Sequence, residues 1–175
     1  MPAARLLGID PGTRLTGYGV IDYDPASPFK PTLVDGGVIR LDAKRPVADR
    51  LVELADELDA LIKEHRPDAA AVEEVYAHYN HPKTAIIMAH ARGVMLLCCR
   101  RRNVPIHELA ANRVKQSLTG YGHADKVQMQ RAVQALWNLP ALPEPPDVAD
   151  ALAVALCLGR SGKIDDLARA SGAPV

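Results

Sequence analysis

The stretch Arg5 to Asp10 (R-L-L-G-I-D) is a short apolar run that ends at an aspartate, and Pro11-Gly12-Thr13 follows directly. An apolar run of this length, ended by turn residues, predicts a buried strand. Because a proline keeps the residue before it in extended backbone, we expect Asp10 at the carboxyl end of this first strand. Proline followed by glycine is typical of a type II turn.

The residues after this turn predict a meander of strands and then alternating strands and helices. We expect a second strand over Leu15 to Tyr23, in which Gly17 and Gly19 permit close approach of another backbone, and a third over about Thr32 to Leu41. The later elements predicted from the pattern are a helix opened by Pro46 and ending before Pro67, a strand over 68–75, a helix over 83–102, a strand over 104–107, and helices over 110–118, 125–137 and 147–159.

This order of elements predicts an α/β domain with a five-stranded mixed sheet flanked by helices. The first and fourth strands should be parallel neighbours, so that their carboxyl ends lie at the sheet edge where α/β domains bind ligands. The chain has 175 residues, of which 48% are hydrophobic and 24% charged. This composition excludes a disordered chain. We expect one domain over 1–160 and a flexible tail over 161–175.

Charge is unevenly distributed along the chain. Lys and Arg total 21, as do Asp and Glu, but the segment 83–131 holds nine basic residues and two acidic ones. Such segregation fits a surface for nucleic acid, but on charge alone solvated helix faces are the more common explanation. The three cysteines, two of them adjacent, make a disulfide framework implausible and favour the cytoplasm. No apolar run is long enough to predict a membrane span, so no membrane partner is expected.

Acidic residues from three separate segments approach one edge of the predicted sheet. Asp10 ends the first strand, and Glu73 and Glu74 lie near the end of the fourth, on opposite faces of it. Asp147 and Asp150 share a face of the last helix. Each has an ordinary explanation alone, as a turn residue, a helix cap or an ion-pair partner. Together they would repel one another unless divalent cations lay between them, and Mg²⁺ prefers such ligands. Two such ions can promote phosphodiester hydrolysis.

The motifs in this sequence resemble those of the RuvC family of Holliday-junction resolvases. Gly8 to Gly19 (GIDPGTRLTGYG) is similar to the family's opening motif, Val72 to Tyr76 (VEEVY) to its second acidic strand, and Asp147 to Ala153 (DVADALA) to its closing helix. The segments 91–94 (ARGV) and 113–126 match its middle section in order and spacing. The similarity covers about 6–158, which is nearly the whole chain.

The resemblance implies a ribonuclease H-like domain that acts as a homodimer with one active site per subunit. The implied activity is paired, symmetric nicking of four-way junction DNA, giving 5′-phosphate and 3′-hydroxyl ends. By motif, Asp10, Glu73, Asp147 and Asp150 would hold two Mg²⁺ or Mn²⁺ ions. The RuvA and RuvB branch-migration proteins are the implied partners.

The resemblance also implies which residues contact DNA. Tyr76 would pack against a base near the crossover, and its position three residues after Glu73 favours Glu73 over Glu74 as the ligand. Lys115 and Lys126 would contact phosphates. Further candidates for phosphate contact are Arg14, Arg92 and Arg113.

Two departures from the family pattern bear on these expectations. The loop over 77–83 is one residue longer than in the family and carries His78, Tyr79 and His81, which fit either DNA contacts or an ordinary loop. Some relatives have a histidine at the position of Asp147.

Two other functions, and two placements of one helix, also fit the sequence. An actin-like phosphotransferase uses a related turn, but it needs a second domain for which this chain has no room. A non-catalytic junction-binding protein would need only the basic segment. The helix over 85–99 is apolar around much of its circumference, which fits either core packing or contact with a second subunit.

Overall fold

A five-stranded sheet lies at the centre of the computed structural model, which describes residues 3–74 and 82–163. The strands and helices follow the predicted order. In sequence they are β1 (Ala4–Asp10), β2 (Leu15–Tyr23), β3 (Thr32–Arg40), α1 (Val47–His65), β4 (Ala69–Glu73), α2 (Pro82–Arg101), β5 (Ile106–Leu109), α3 (Ala111–Thr119), α4 (Lys126–Trp137) and α5 (Pro146–Arg160).

The sheet is mixed, with the strand order β3-β2-β1-β4-β5. β1, β2 and β3 form an antiparallel meander, whereas β1, β4 and β5 are parallel. In the parallel pair β1–β4, Ile9 lies opposite Val72, so the next residue of each strand reaches the same edge. The predicted α/β class, mixed sheet and parallel pairing of the first and fourth strands are therefore confirmed.

Helices cover both faces of the sheet and bury one apolar cluster on each. α5 lies against β1 and β2, with α3 and α4 packed on it, and α1 packs with α2 on the opposite face. Every residue from Ala151 to Gly159 is buried. A helix that is apolar on all sides belongs at the centre of a core.

Close main-chain contact fixes α5 on the sheet. A Cβ atom at Gly8 would lie 2.1 Å from the carbonyl oxygen of Ala151, and one at Gly17 would lie 2.2 Å from that of Asp147. The predicted close approach at Gly17 is confirmed, and α5 is its partner.

The predicted type II turn after β1 is wrong. Such a turn requires a positive φ at Gly12, and among the described glycines only Gly120 and Gly162 have one. Gly12 is needed for space instead, because a Cβ there would lie 1.7 Å from the carbonyl oxygen of Leu15.

The fifth strand lies two residues later than predicted, at Ile106–Leu109 rather than 104–107. The N–H of Val104 donates to the carbonyl oxygen of Cys99 at 2.9 Å, and Asn103 has a φ of 57°. Val104 therefore belongs to the turn that ends α2, which an apolar pattern alone does not distinguish from a strand.

Some predictions fall on residues that the structure does not describe. Tyr76 and most of the loop over 77–83 lie outside the described residues, as does the predicted tail beyond Lys163. Within residues 3–74 and 82–163, no helix combines the length and the apolar character that crossing a membrane requires.

Candidate active site

The carboxyl ends of β1 and β4 place two of the predicted acids side by side. Asp10 is the last residue of β1 and Glu73 the last residue of β4. Because the two strands are parallel and in register up to Ile9 and Val72, both carboxylates lie at the same edge of the sheet. Glu74, the alternative to Glu73, does not line the cavity that this edge forms.

The amino-terminal end of α5 brings the other two acids to this edge. Asp147 lies in the first turn of α5, and Asp150 lies three residues further along. The cap of the helix is Pro145, with Pro146 at its first position, so the alternative reading of Asp147 as the N-cap residue is wrong. The main-chain contact between Gly17 and Asp147 holds this helix end next to the strands.

All four acids line one cavity of about 320 Å³. Two basic side chains, Lys115 on α3 and Lys126 on α4, line the same cavity. The remaining wall is mostly apolar and consists of Pro11, Ala111, Val114, Ala124 and Met129. Three separate segments thus bring their carboxylates to one partly enclosed space, as predicted from the sequence.

Burial and repulsion between neighbouring carboxylates raise the pKa values of Asp10, Glu73 and Asp150. Burial raises the pKa of Asp10 well above its usual range, and the charges of Asp150, Glu73 and Asp147 raise it further. Burial also raises the pKa of Glu73 to about 6, followed by the effect of Asp150. The pKa of Asp150 is likewise raised by burial, with Lys126 opposing the shift. The site is therefore a set of poorly solvated carboxylates that repel one another.

This donor set fits hard divalent cations, because a cation would remove the repulsion and replace the lost solvation. As the side chains stand, no three His, Cys, Asp or Glu residues in the described part of the chain surround one point closely enough to hold an ion. The structure therefore provides the ligands and the cavity, and ion binding requires the carboxylates to turn toward a common centre.

The family model for the crossover junction endodeoxyribonuclease RuvC matches residues 6–158 of this chain. The chain belongs to the RuvC family. RuvC of Ruminiclostridium cellulolyticum is 44% identical over 93% of this chain and 95% of its own length. RuvC of Caldicellulosiruptor saccharolyticus is 47% identical over 87% of this chain and 90% of its own. The resemblance in the motifs is confirmed, and the chain is a member of a family of endodeoxyribonucleases.

Solved structures agree with this assignment. The structure of Thermus thermophilus RuvC in complex with a Holliday junction substrate has a TM-score of 0.83 and 30% identity, covering 93% of this chain and 96% of that one. The yeast mitochondrial resolvase Ydc2 has a TM-score of 0.64 over 96% of this chain and 86% of its own, at 15% identity. The latter likeness concerns the fold alone, and both support the predicted ribonuclease H-like class.

The predicted DNA-contacting residues of this RuvC family member lie in different surroundings. Lys115 and Lys126 line the acidic cavity, and Arg14 is exposed in the loop after β1. Arg92 on α2 is ion-paired with Glu108 on β5. The sequence alone does not indicate this partner, because the pair forms only when the two elements pack. Arg113 lies on the other side of α3, away from the cavity.

Glu73→Gln is expected to stabilise the metal-free form of this RuvC family member at neutral pH. Folding raises the pKa of Glu73 from 4.5 to about 6. Between these two pKa values the carboxyl group of Glu73 is deprotonated in the unfolded chain but protonated in the folded one. The free energy of unfolding therefore falls as the pH rises from about 4.5 to about 6, and it stays lower above pH 6. The loss amounts to on the order of 2 kcal/mol. Thermal unfolding of wild type and Glu73→Gln in EDTA measures this difference in stability. If the variant were stabilised as much at about pH 4 as at neutral pH, the raised pKa of Glu73 would not be the cause.

Proposed function

We propose that this chain resolves Holliday junctions by metal-dependent hydrolysis of phosphodiester bonds. The observation that carries the proposal is the convergence of Asp10, Glu73, Asp147 and Asp150 on one cavity that also holds Lys115 and Lys126. A cavity with clustered carboxylates and basic side chains suits a substrate that is a phosphodiester. Family membership and the junction-bound relative from Thermus thermophilus support the choice of a four-way junction.

The four carboxylates would hold two Mg²⁺ ions per subunit, with Mn²⁺ as a substitute. Bound ions of this kind supply activation of the attacking water and stabilisation of the departing oxygen. The residues of the chain perform the remaining tasks. Lys115 and Lys126 bind the phosphate that enters the cavity, and the apolar wall limits the access of bulk water. We infer that cleavage leaves a 5′-phosphate and a 3′-hydroxyl.

A single gel tests this function. A synthetic four-way junction, labelled in separate samples on each of two strands of like polarity, is incubated with the protein in Mg²⁺, in Mn²⁺ or in EDTA, beside a linear duplex of the same sequence. We expect paired nicks in the junction with either metal, no product in EDTA and none from the duplex. Binding of the junction without cleavage in either metal would instead support the non-catalytic alternative.

We propose that α2 forms the contact between two subunits. Six of its exposed positions, 83, 86, 90, 93, 97 and 100, follow one another in steps of three and four, which is the spacing of a helix–helix seam, and positions 84, 89 and 101 are exposed beside this stripe. Two large apolar side chains on this stripe, Ile86 and Leu97, are 56% and 55% exposed. Met95 and Cys99 of the same helix are buried in the chain's own core. Core packing therefore accounts for one face of this helix, and the proposed subunit contact would use the other face.

Leu97→Asp is expected to convert the dimer to a monomer by placing a charge in this seam. The matched control is Val52→Asp on α1, which changes a side chain that is 61% exposed in a helix outside the proposed contact. Sedimentation at micromolar protein measures the mass. A wild-type protein that sediments only as an 18.9 kDa species would contradict the dimer.

Other parts of the proposal rest on family membership. We infer a role for Tyr76 in stacking on a base near the crossover, and cooperation with the RuvA and RuvB proteins. Residues 1–160 would form one nuclease domain. We also infer a cytoplasmic location, which the three free, buried cysteines favour.

A further inference from the structure

Helix α3 separates the acidic cavity from a second cavity. Residues 111, 114 and 115 of α3 line the acidic cavity, whereas residues 113, 116 and 117 line the second one. The second cavity measures about 290 Å³ and is completed by the end of α5, at Cys157, Arg160 and Ser161. Its position on the same two helices links it physically to the acidic cavity.

The second cavity is electropositive. Arg113 and Arg160 line it, and no carboxylate does. A third cation, Lys163, is close enough to act on the Cys157 thiol, where burial raises the pKa and the charges of Arg113, Lys163 and Arg160 lower it. None of these three cations forms a salt bridge with any residue in 3–74 or 82–163. Their charges are therefore available to an anionic ligand.

Arg160 is held in place but is not fully hydrogen-bonded. Its guanidinium donates to the carbonyl oxygen of Ser117, and its central carbon lies 5.7 Å from the centre of the Phe29 ring. Its Nε is buried and has no hydrogen-bond partner among the described residues. A buried donor without a partner is uncommon in folded proteins and calls for an explanation such as a missing ligand.

The position of Arg113 also argues for a ligand. Arg113 lies in the first turn of α3, three residues after the cap residue Ala110. The helix dipole disfavours a cation at this end, so Arg113 does not serve the stability of α3. Its side chain is exposed at the mouth of the cavity. An exposed arginine that forms no salt bridge with the described residues and shares a cavity with a fixed arginine is suited to bind a phosphate together with it.

We propose that this cavity, lined by Arg113, Ser117 and Arg160, binds a backbone phosphate of the junction arm whose scissile phosphate enters the acidic cavity. This inference rests on the proposed function. Ten residues of α5 separate Asp150 from Arg160, which is about 15 Å along the helix axis. That distance is the rise of about four base pairs. A duplex that crosses the exposed face of α3, the helix between the two cavities, thus reaches both of them, and the contact at the second cavity positions the arm without reading its sequence.

The test compares Arg113→Gln, and the double variant Arg113→Gln/Arg160→Gln, with wild type. The control is Arg66→Asn, which removes one charge from the end of α1 and keeps the left-handed backbone there, where φ is 48°. Junction affinity is measured in EDTA over a range of salt concentrations. We expect affinity to fall roughly tenfold in the double variant and the slope of log K against log salt to decrease by about 1. Arg66→Asn should match wild type.

Three results would overturn the inference. The first is that Arg113→Gln binds the junction with the same affinity and the same salt slope as wild type. Because Arg113 is exposed, this variant is expected to fold even if the double variant does not. The second is stabilisation of wild type by inorganic phosphate with no change in the junction affinity of the variants, which would indicate a site for free phosphate. The third is an equal loss in Arg66→Asn. Failure of wild type to bind junctions would instead contradict the proposed function, and the inference with it.

Discussion

Asp10→Asn is expected to lower the rate of junction nicking by roughly three orders of magnitude and to leave junction affinity close to that of wild type. Asp10 is the acid whose pKa is raised most clearly by burial and by the other three carboxylates, so it lies where their charges converge. Asparagine keeps the shape of the side chain but removes the charge that attracts divalent cations. In the proposed function the arms of the junction are bound outside this cavity by basic side chains, so binding is not expected to depend on this carboxylate.

Single-turnover nicking at saturating protein measures the first effect, and a binding titration in EDTA measures the second. Glu57→Gln is the matched control, because it removes one exposed carboxylate from α1. Asp10→Asn should also raise the thermal stability of the metal-free protein, since it relieves the repulsion at this site. A variant that nicks within about tenfold of wild type would remove Asp10 from the catalytic group.

Gly8→Ala is expected to destabilise the protein by more than about 4 kcal/mol, and to leave little of it folded. A Cβ atom at this position would lie 2.1 Å from the carbonyl oxygen of Ala151 and 2.4 Å from the nitrogen of Ala155. Both neighbours are main-chain atoms of a buried helix, so no side-chain rotation relieves the overlap. Relief requires α5 to move away from β1, which opens the core and separates Asp10 from Asp147 and Asp150.

Gly36→Ala on β3 provides the comparison. A Cβ there would lie 3.3 Å from the Cγ1 atom of Val148, a side-chain atom that can yield. Its effect should stay below about 1 kcal/mol. Chemical denaturation followed by circular dichroism measures both variants. Equal stabilities would mean that the contact between β1 and α5 is looser than the structure indicates.

The parts of the fold that follow from local pattern were predictable from the sequence. The apolar run before Asp10, the stripe of leucines along α1 and the small apolar residues of β4 each predict one element. Together they predict the parallel pair that carries Asp10 and Glu73. The final helix begins with two acidic residues three positions apart and continues as an apolar run, a pattern that predicts a buried helix with its acids at one end. Their convergence on one cavity follows from topology, whereas their role as metal ligands stays a prediction.

Features that depend on contacts between distant segments were not predictable in this way. Gly12 has the local signature of a type II turn, but its surroundings require only the absence of a Cβ. Val104 has the character of a strand residue but caps α2. The cavity at Arg113 and Arg160 needs the ends of two helices that are far apart in sequence. No spacing within either helix indicates it.

Because α5 contacts glycine main chain directly, substitutions elsewhere in the core have little effect on the geometry of the active site. No side chain intervenes where Gly8 and Gly17 meet this helix, so the spacing between the acids of β1 and α5 does not vary with side-chain volume. Substitutions that change the volume of side chains buried between α1 and α2 would change the free energy of unfolding but not the rate of turnover. Selection on those buried positions and selection on chemistry can therefore proceed almost independently.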